Sequence, residues 1–188
     1  MDARIIKTKK KIKETLLVIL QTKMINDVSI SEICNKAKIN RNTFYAHFAT
    51  PEAVLEEVAN ELLSEEYTIL ENYTRTKDIV VAACKYINVH AREHLILISN
   101  NVENYSIRKA IIYSQNAAFY KIDNRDKRVS PKRFKMIHTY IINGAVSIIK
   151  EWLYSGMKES PEEIGEMVDY ITASLIRGIN QSQQIDSF

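Results

Sequence analysis

The sequence is poor in the residues that staple, punctuate or break a chain: of 188 residues, two are cysteine, four glycine, three proline and one tryptophan. Cys34 and Cys84 both lie among helix-core residues, which excludes a disulfide scaffold and fits a reducing cytoplasm better than an oxidising compartment. Scarce glycine and proline argue against a fibrous repeat or a disordered chain and for a compact helical protein. No apolar run approaches the roughly 18 residues needed to cross a bilayer. The amino-terminal stretch MDARIIKTKKKIKETLLVIL is basic and then apolar, as a leader would be. Glu14 and Thr15 interrupt it and no small-residue cleavage site follows, so it reads as a helix of the mature chain.

Catalytic signatures are missing too. There is no glycine-rich phosphate loop, no Gly-x-Ser-x-Gly and no Cys-x-x-Cys, so neither an enzyme nor a bound cofactor is expected. His90 and His94 stand four apart, at helical spacing, and could share a metal with Cys84 or His138. A site needs three or four ligands, and two partly exposed histidines is the plainer reading, so no metal is assigned.

What is present is a charge asymmetry. Residues 1–50 hold ten basic side chains (Arg4, Lys7, Lys9, Lys10, Lys11, Lys13, Lys23, Lys36, Lys38 and Arg41) against four acids. Residues 51–75 hold seven glutamates against Arg75 alone. A basic end suits neutralisation of DNA phosphates, although a charge run is by itself only a solvated face.

The basic half also carries the most informative stretch, SISEICNKAKINRNTFYAHF, from Ser29 to Phe48. Ser29 followed by Glu32 predicts a capping box that opens a helix, and Ile30, Ile33, Cys34 and Ala37 form its apolar stripe. Asn40, a good N-cap, opens a second helix in which Phe44 and Phe48 point inward. Arg41, Asn42, Thr43, Tyr45 and His47 then face outward in part, a donor-rich set without an acid. Two short helices with such a second member form a helix-turn-helix, whose second helix enters the DNA major groove; a plain helical hairpin is the alternative.

The residues Val28-Ser29-Ile30, Glu32-Ile33, Ala37, Ile39-Asn40, Thr43-Phe44-Tyr45, His47-Phe48 and Glu52-Ala53-Val54-Leu55 resemble the DNA-binding domain of the TetR family of bacterial transcriptional regulators. Two positions depart from the family pattern. Lys38 stands where glycine is usual in the turn, which predicts a strained positive φ, and Pro51 stands where a lysine often contacts phosphate. The resemblance implies an all-α protein: a three-helix head in residues 1–50, a linking fourth helix over 51–73, and a helical effector-binding and dimerisation domain over 74–188. It implies DNA contacts from Lys10, Ser29, Asn40, Arg41, Asn42, Thr43, Tyr45 and His47, with a palindromic double-stranded operator and a second copy of the chain as partners. A small-molecule effector of unknown identity would bind the second domain.

Helical periodicity continues to the carboxy terminus. Helices are expected over Asp78–His90, a shorter one through Leu95–Ile98, Ser106–Tyr120, Ser130–Ser155 and from Ser160 onward, with a charged loop at Asp123–Ser130. The last third, with Asn143-Gly144-Ala145, Glu151-Trp152-Leu153, Gly156 and Ser160-Pro161-Glu162-Glu163, is similar to the carboxy-terminal domain of a Firmicutes-type branch. The resemblance puts Tyr86, His90, Tyr105, Tyr113, Phe119, His138 and Trp152 near the effector, although aromatic residues at helical spacing are more often plain core. It also implies a dimer interface from Ile141, Ala145, Ile148, Trp152, Ile164, Val168, Ile171 and Leu175. The expected function is a TetR-type repressor; the alternative is a co-regulator that has lost operator binding and works through protein contacts.

Overall fold

The computed structural model describes residues 3–100, 102 and 131–181, and among them there is no strand. The expected helix over Ser106–Tyr120 and the loop at Asp123–Ser130 lie outside the described residues. The chain is all-α, in the order α1 (Ala3–Ile19), a 3-10 turn (Ile25–Asp27), α2 (Ile30–Ala37), α3 (Arg41–Tyr45), α4 (Pro51–Leu70), α5 (Thr76–Val89), α6 (Ala91–Ser99), α7 (Pro131–Tyr154) and α8 (Pro161–Gln181). None of these helices is long and apolar enough to cross a membrane.

Helix boundaries follow local chemistry. Ser29 Oγ accepts the Glu32 N–H at 3.1 Å, as the capping box requires. The reciprocal half is not made, because Glu32 Oε1 instead accepts from Lys23 Nζ at 2.8 Å. Ser160 and Glu163 do form the complete box: Glu163 Oε2 accepts Ser160 N–H at 2.7 Å while Ser160 Oγ accepts Glu163 N–H at 3.2 Å. Thr50 Oγ1 caps α4 through Ala53 N–H at 3.2 Å. Lys38 ends α2 in the left-handed region, φ 49 and ψ 52, where its Cβ is strained and glycine would not be. Gly156 supplies the positive φ of 88 that ends α7.

The described structure divides into two units, each with its own core. The first is Met1–Glu65 with Arg92–Asn104; the second is Glu66–Ala91 with Tyr105–Phe188. The division falls within α4, and α6, which the sequence places beyond the boundary, groups with the head. In the first unit Ile12, Leu16, Ile33, Phe44, Val54 and Leu55 are wholly buried. Asn100, at the end of α6, is buried there as well; its Oδ1 accepts the Ile25 N–H at 2.7 Å and its Nδ2 donates to the Ile96 carbonyl at 2.8 Å.

The second unit is organised on α5 against α8. Gly165 permits the close approach: a Cβ there would lie 2.5 Å from Val81 Cγ2 and 3.1 Å from the Lys77 carbonyl oxygen. Cys84, Tyr86 and Ile87 of α5, Trp152 and Leu153 of α7, and Ile164 and Val168 of α8 are buried. Exposed ion pairs, Lys77–Glu166 and Lys85–Glu162, both 2.7 Å, tie α5 to α8 at its rim.

Candidate nucleic-acid interface

The head presents α3 from a buried anchor. Phe44 has no exposed surface and packs on Phe48, ring centroids 6.1 Å apart, and on Tyr45 edge to face at 6.0 Å. That anchor turns the rest of the short helix outward. Tyr45 is 57% exposed, Arg41 and Asn42 are exposed, and Thr43 and His47 are half-buried. No acid stands between Lys36 and Phe48 to repel a phosphate.

The sequence-predicted residues have individual surroundings. Asn40 caps α3: its Oδ1 accepts the Thr43 N–H at 2.7 Å and the Thr43 hydroxyl at 2.9 Å. Arg41 Nη2 donates to Ser31 Oγ on α2, a partnership the sequence reading missed, because a serine on a half-exposed helix face carries no signal of its own. The Arg41 charge also reaches Cys34, where it offsets in part the rise that burial gives the thiol pKa. Ser29 is exposed and keeps its hydroxyl proton to donate, its oxygen having accepted from Glu32.

The lysines of α1 divide into two groups. Lys9 and Lys13 turn toward α4, with Lys9 Nζ 2.6 Å from Glu57, and Lys13 Nζ 3.4 Å from Glu57 and 2.5 Å from Glu61. Burial pushes the Glu57 carboxyl up, but the hydrogen bonds and charges of Lys9 and Lys13 outweigh it and hold the pKa below the ordinary range. Lys9 Nζ also lies 5.1 Å from the Phe48 ring centre. Lys10 stays 74% exposed, with only a 3.8 Å approach to Glu14, and remains available to a phosphate.

The carboxy-terminal half decides the family. Residues 74–174, more than half of the chain, match the sequence profile described as a transcriptional regulator C-terminal region. The chain belongs to the TetR family of transcriptional regulators. Solved structures of TetR regulators share its fold: one from Streptococcus agalactiae 2603V superposes with TM-score 0.70 at 16% identity, covering 91% of this chain and 96% of that one. The dihydroxyacetone kinase operon activator DhaS gives 0.60 at 19% identity, covering 92% and 97%. A regulator from Streptomyces coelicolor gives 0.62 at 16%, covering 95% and 83%. Identities this low establish the fold alone. A comparison with curated proteins gave no match.

Within this TetR regulator the predicted effector residues are placed unevenly. Tyr86 and His90, one turn apart, lie with ring centroids 4.5 Å apart and planes tilted by 38°. His138 is buried, and burial lowers its pKa below the ordinary imidazole value. Trp152 is buried and its Nε1–H donates to the Glu159 carbonyl at 2.8 Å, so it closes the α7–α8 connection. Tyr105, Tyr113 and Phe119 lie outside the described residues. His90 and His94 do not share a helix, since α5 ends at Val89 with His90 as its C-cap and α6 carries His94; among the described residues no three His, Cys, Asp or Glu side chains gather as a metal set. Of the expected dimer residues, Ile141, Trp152, Ile164 and Val168 are buried within the subunit, Ala145, Ile148 and Leu175 are half-buried, and Ile171 is exposed. The sequence did not single out a carboxyl on α4, Glu66, half-buried and pushed by burial up to about 7.

Proposed function

We propose that this TetR-family regulator binds a palindromic operator as a homodimer and represses transcription until a small molecule occupies its 74–188 portion. The observation that carries this reading is the outward surface of α3 and the turn after it: Arg41, Asn42, Tyr45 and partly exposed Thr43 and His47, rich in donors, free of acids, and held from behind by fully buried Phe44. Arg41 and Asn42 have the groups that pair with guanine and adenine edges, and Thr43 joins them. Tyr45, His47, Ser29, Asn40 and Lys10 supply phosphate donors.

Dimerisation through α7 and α8 is supported by large side chains left open on both helices. Met136 and Tyr140 of α7 are 64% and 70% exposed, and Met167, Tyr170 and Ile171 of α8 are 43%, 70% and 48% exposed. Apolar surface gathered on two long helices is the usual mark of an interface. A dimer would set the two heads about 34–36 Å apart, one turn of DNA. An effector in contact with the Tyr86–His90 pair, and with α4 as the linking helix, would then alter that spacing and depopulate the DNA-competent state.

The test is binding of the purified protein to the intergenic DNA upstream of its own gene, at two salt concentrations and beside random competitor. Competitor-resistant binding that falls steeply with salt, at two subunits per site or a multiple of two, is expected. Affinity no greater than for random DNA would replace this reading with the co-regulator that acts through protein contacts.

A further inference from the structure

The hydrogen bonds that cap α3 fix which side chains of the reading surface can donate and which can only accept. The Thr43 backbone N–H is a donor and nothing else, so the Asn40 atom 2.7 Å from it is the carboxamide oxygen and the amide orientation is settled by chemistry. The Thr43 hydroxyl lies 2.9 Å from that same oxygen. An oxygen with no proton can only accept, so the single hydroxyl proton of Thr43 is committed to Asn40. What Thr43 has left to offer a partner is its lone pairs.

We propose that Thr43 reads an exocyclic amine in the major groove, cytosine N4 or adenine N6, as a hydrogen-bond acceptor, with Asn40 the positioning residue that sets its polarity. The inference rests on the DNA-binding reading above and goes beyond it by assigning Thr43 a base chemistry. Among major-groove edges only those two amines donate; guanine offers N7 and O6 and thymine offers O4, all acceptors. Phosphate oxygens are acceptors too, so a hydroxyl held in this sense does not suit them.

The neighbouring groups divide the work in a consistent way. Asn40, its oxygen occupied twice, has only its two N–H donors left, which match a phosphate and cannot form the donor–acceptor pair that adenine requires. Arg41 is a donor throughout, and one of its terminal nitrogens is already held by Ser31, which limits the swing of the guanidinium. Thr43 is the side chain of the cap whose chemical sense is reversed from what its residue type alone would give.

The experiment begins by enriching duplexes from a randomised library with the full-length protein. In the enriched duplex each cytosine is then replaced in turn by 2-pyrimidinone and each adenine by purine, which removes the exocyclic amine alone. Affinities are measured for the wild type, Thr43→Ser and Thr43→Val, with the folded fraction of each protein checked by its thermal unfolding.

At one position in each half-site, loss of the amine is expected to weaken wild type and Thr43→Ser about five-fold more than it weakens Thr43→Val, the ratio one neutral hydrogen bond supports. A purely structural role for Thr43 would lower the affinity of Thr43→Val for every duplex equally, and that uniform loss overturns the proposal. Coupling of Thr43→Val to a methylphosphonate substitution, in place of an amine, would show a hydroxyl that donates to the backbone and overturns it as well. Failure to enrich any duplex would sink the DNA-binding reading itself and this proposal with it, an outcome distinct from the other two.

Discussion

Asn100, at the end of α6, accepts the backbone N–H of Ile25 through its side-chain oxygen at 2.7 Å, joining two points 75 positions apart in sequence. The bond is buried, and it fastens the 3-10 turn that connects α1 to α2. Removing the acceptor leaves a buried amide without a partner, which costs more than an average hydrogen bond gives. Asn100→Ala is expected to lower the unfolding free energy by about 2 kcal/mol in urea titrations. A loss below about 0.5 kcal/mol would mean that water replaces the carboxamide and that the turn holds without it.

The Lys9–Glu57 pair couples α1 to α4 while its ammonium rests beside Phe48, the aromatic that follows α3. Lys9→Met keeps most of the aliphatic stem and removes the charge, and is expected to destabilise the head by about 1 kcal/mol. Because the Glu57 pKa is held below its ordinary value, the stabilisation from this cluster is present at neutral pH and fades as pH falls through the folded pKa. The difference between variant and wild type, followed by thermal unfolding, should therefore shrink both in acid and in high salt.

Glu66 has the opposite sign. Burial raises its carboxyl to about 7, so between the ordinary carboxylate range and that value the folded chain binds more protons than the unfolded one. Its contribution to stability therefore declines as pH rises through this window, and above it the ionised group is a full burden. Glu66→Gln is expected to stabilise the protein by about 1–2 kcal/mol at pH 8 and to change little near pH 4.5. Equal effects at the two pH values would show that Glu66 titrates as an ordinary surface acid.

Gly165 makes the α5–α8 contact possible by what it lacks. Gly165→Ala would improve intrinsic helix propensity by about 1 kcal/mol, yet its methyl group would meet Val81 and approach the Lys77 carbonyl. Steric crowding of that size outweighs the propensity gain, and a net loss of about 1–2 kcal/mol is expected in denaturant unfolding. Adding Val81→Ala should recover part of it, since the closest atom is the valine methyl.

Local signals were legible in the sequence wherever a residue's chemistry acts on its near neighbours. Ser29 and Asn40 cap the helices they were expected to cap, and Lys38 adopts the positive φ implied by its departure from glycine. Phe44 and Phe48 are buried as their four-residue spacing requires. The failures concern pairs far apart in the chain. Nothing in the run around Asn100 tells that its partner is Ile25, and glutamates 57 and 61, which looked like a solvated acidic face, turn out to hold Lys9 and Lys13. Helical periodicity marks Trp152, Ile164 and Val168 as apolar-facing but cannot say whether the facing surface belongs to the same subunit; here they are buried within it.

The hydrogen bond from Trp152 to the Glu159 carbonyl has a practical consequence, because Trp152 is the sole tryptophan of the chain. Its indole sits in the core of the second unit and nowhere in the head. Indole emission therefore serves as an intrinsic optical reporter confined to the second unit. Melting followed by that signal and melting followed by helix dichroism, to which both units contribute, would coincide only if the two unfold as one cooperative body.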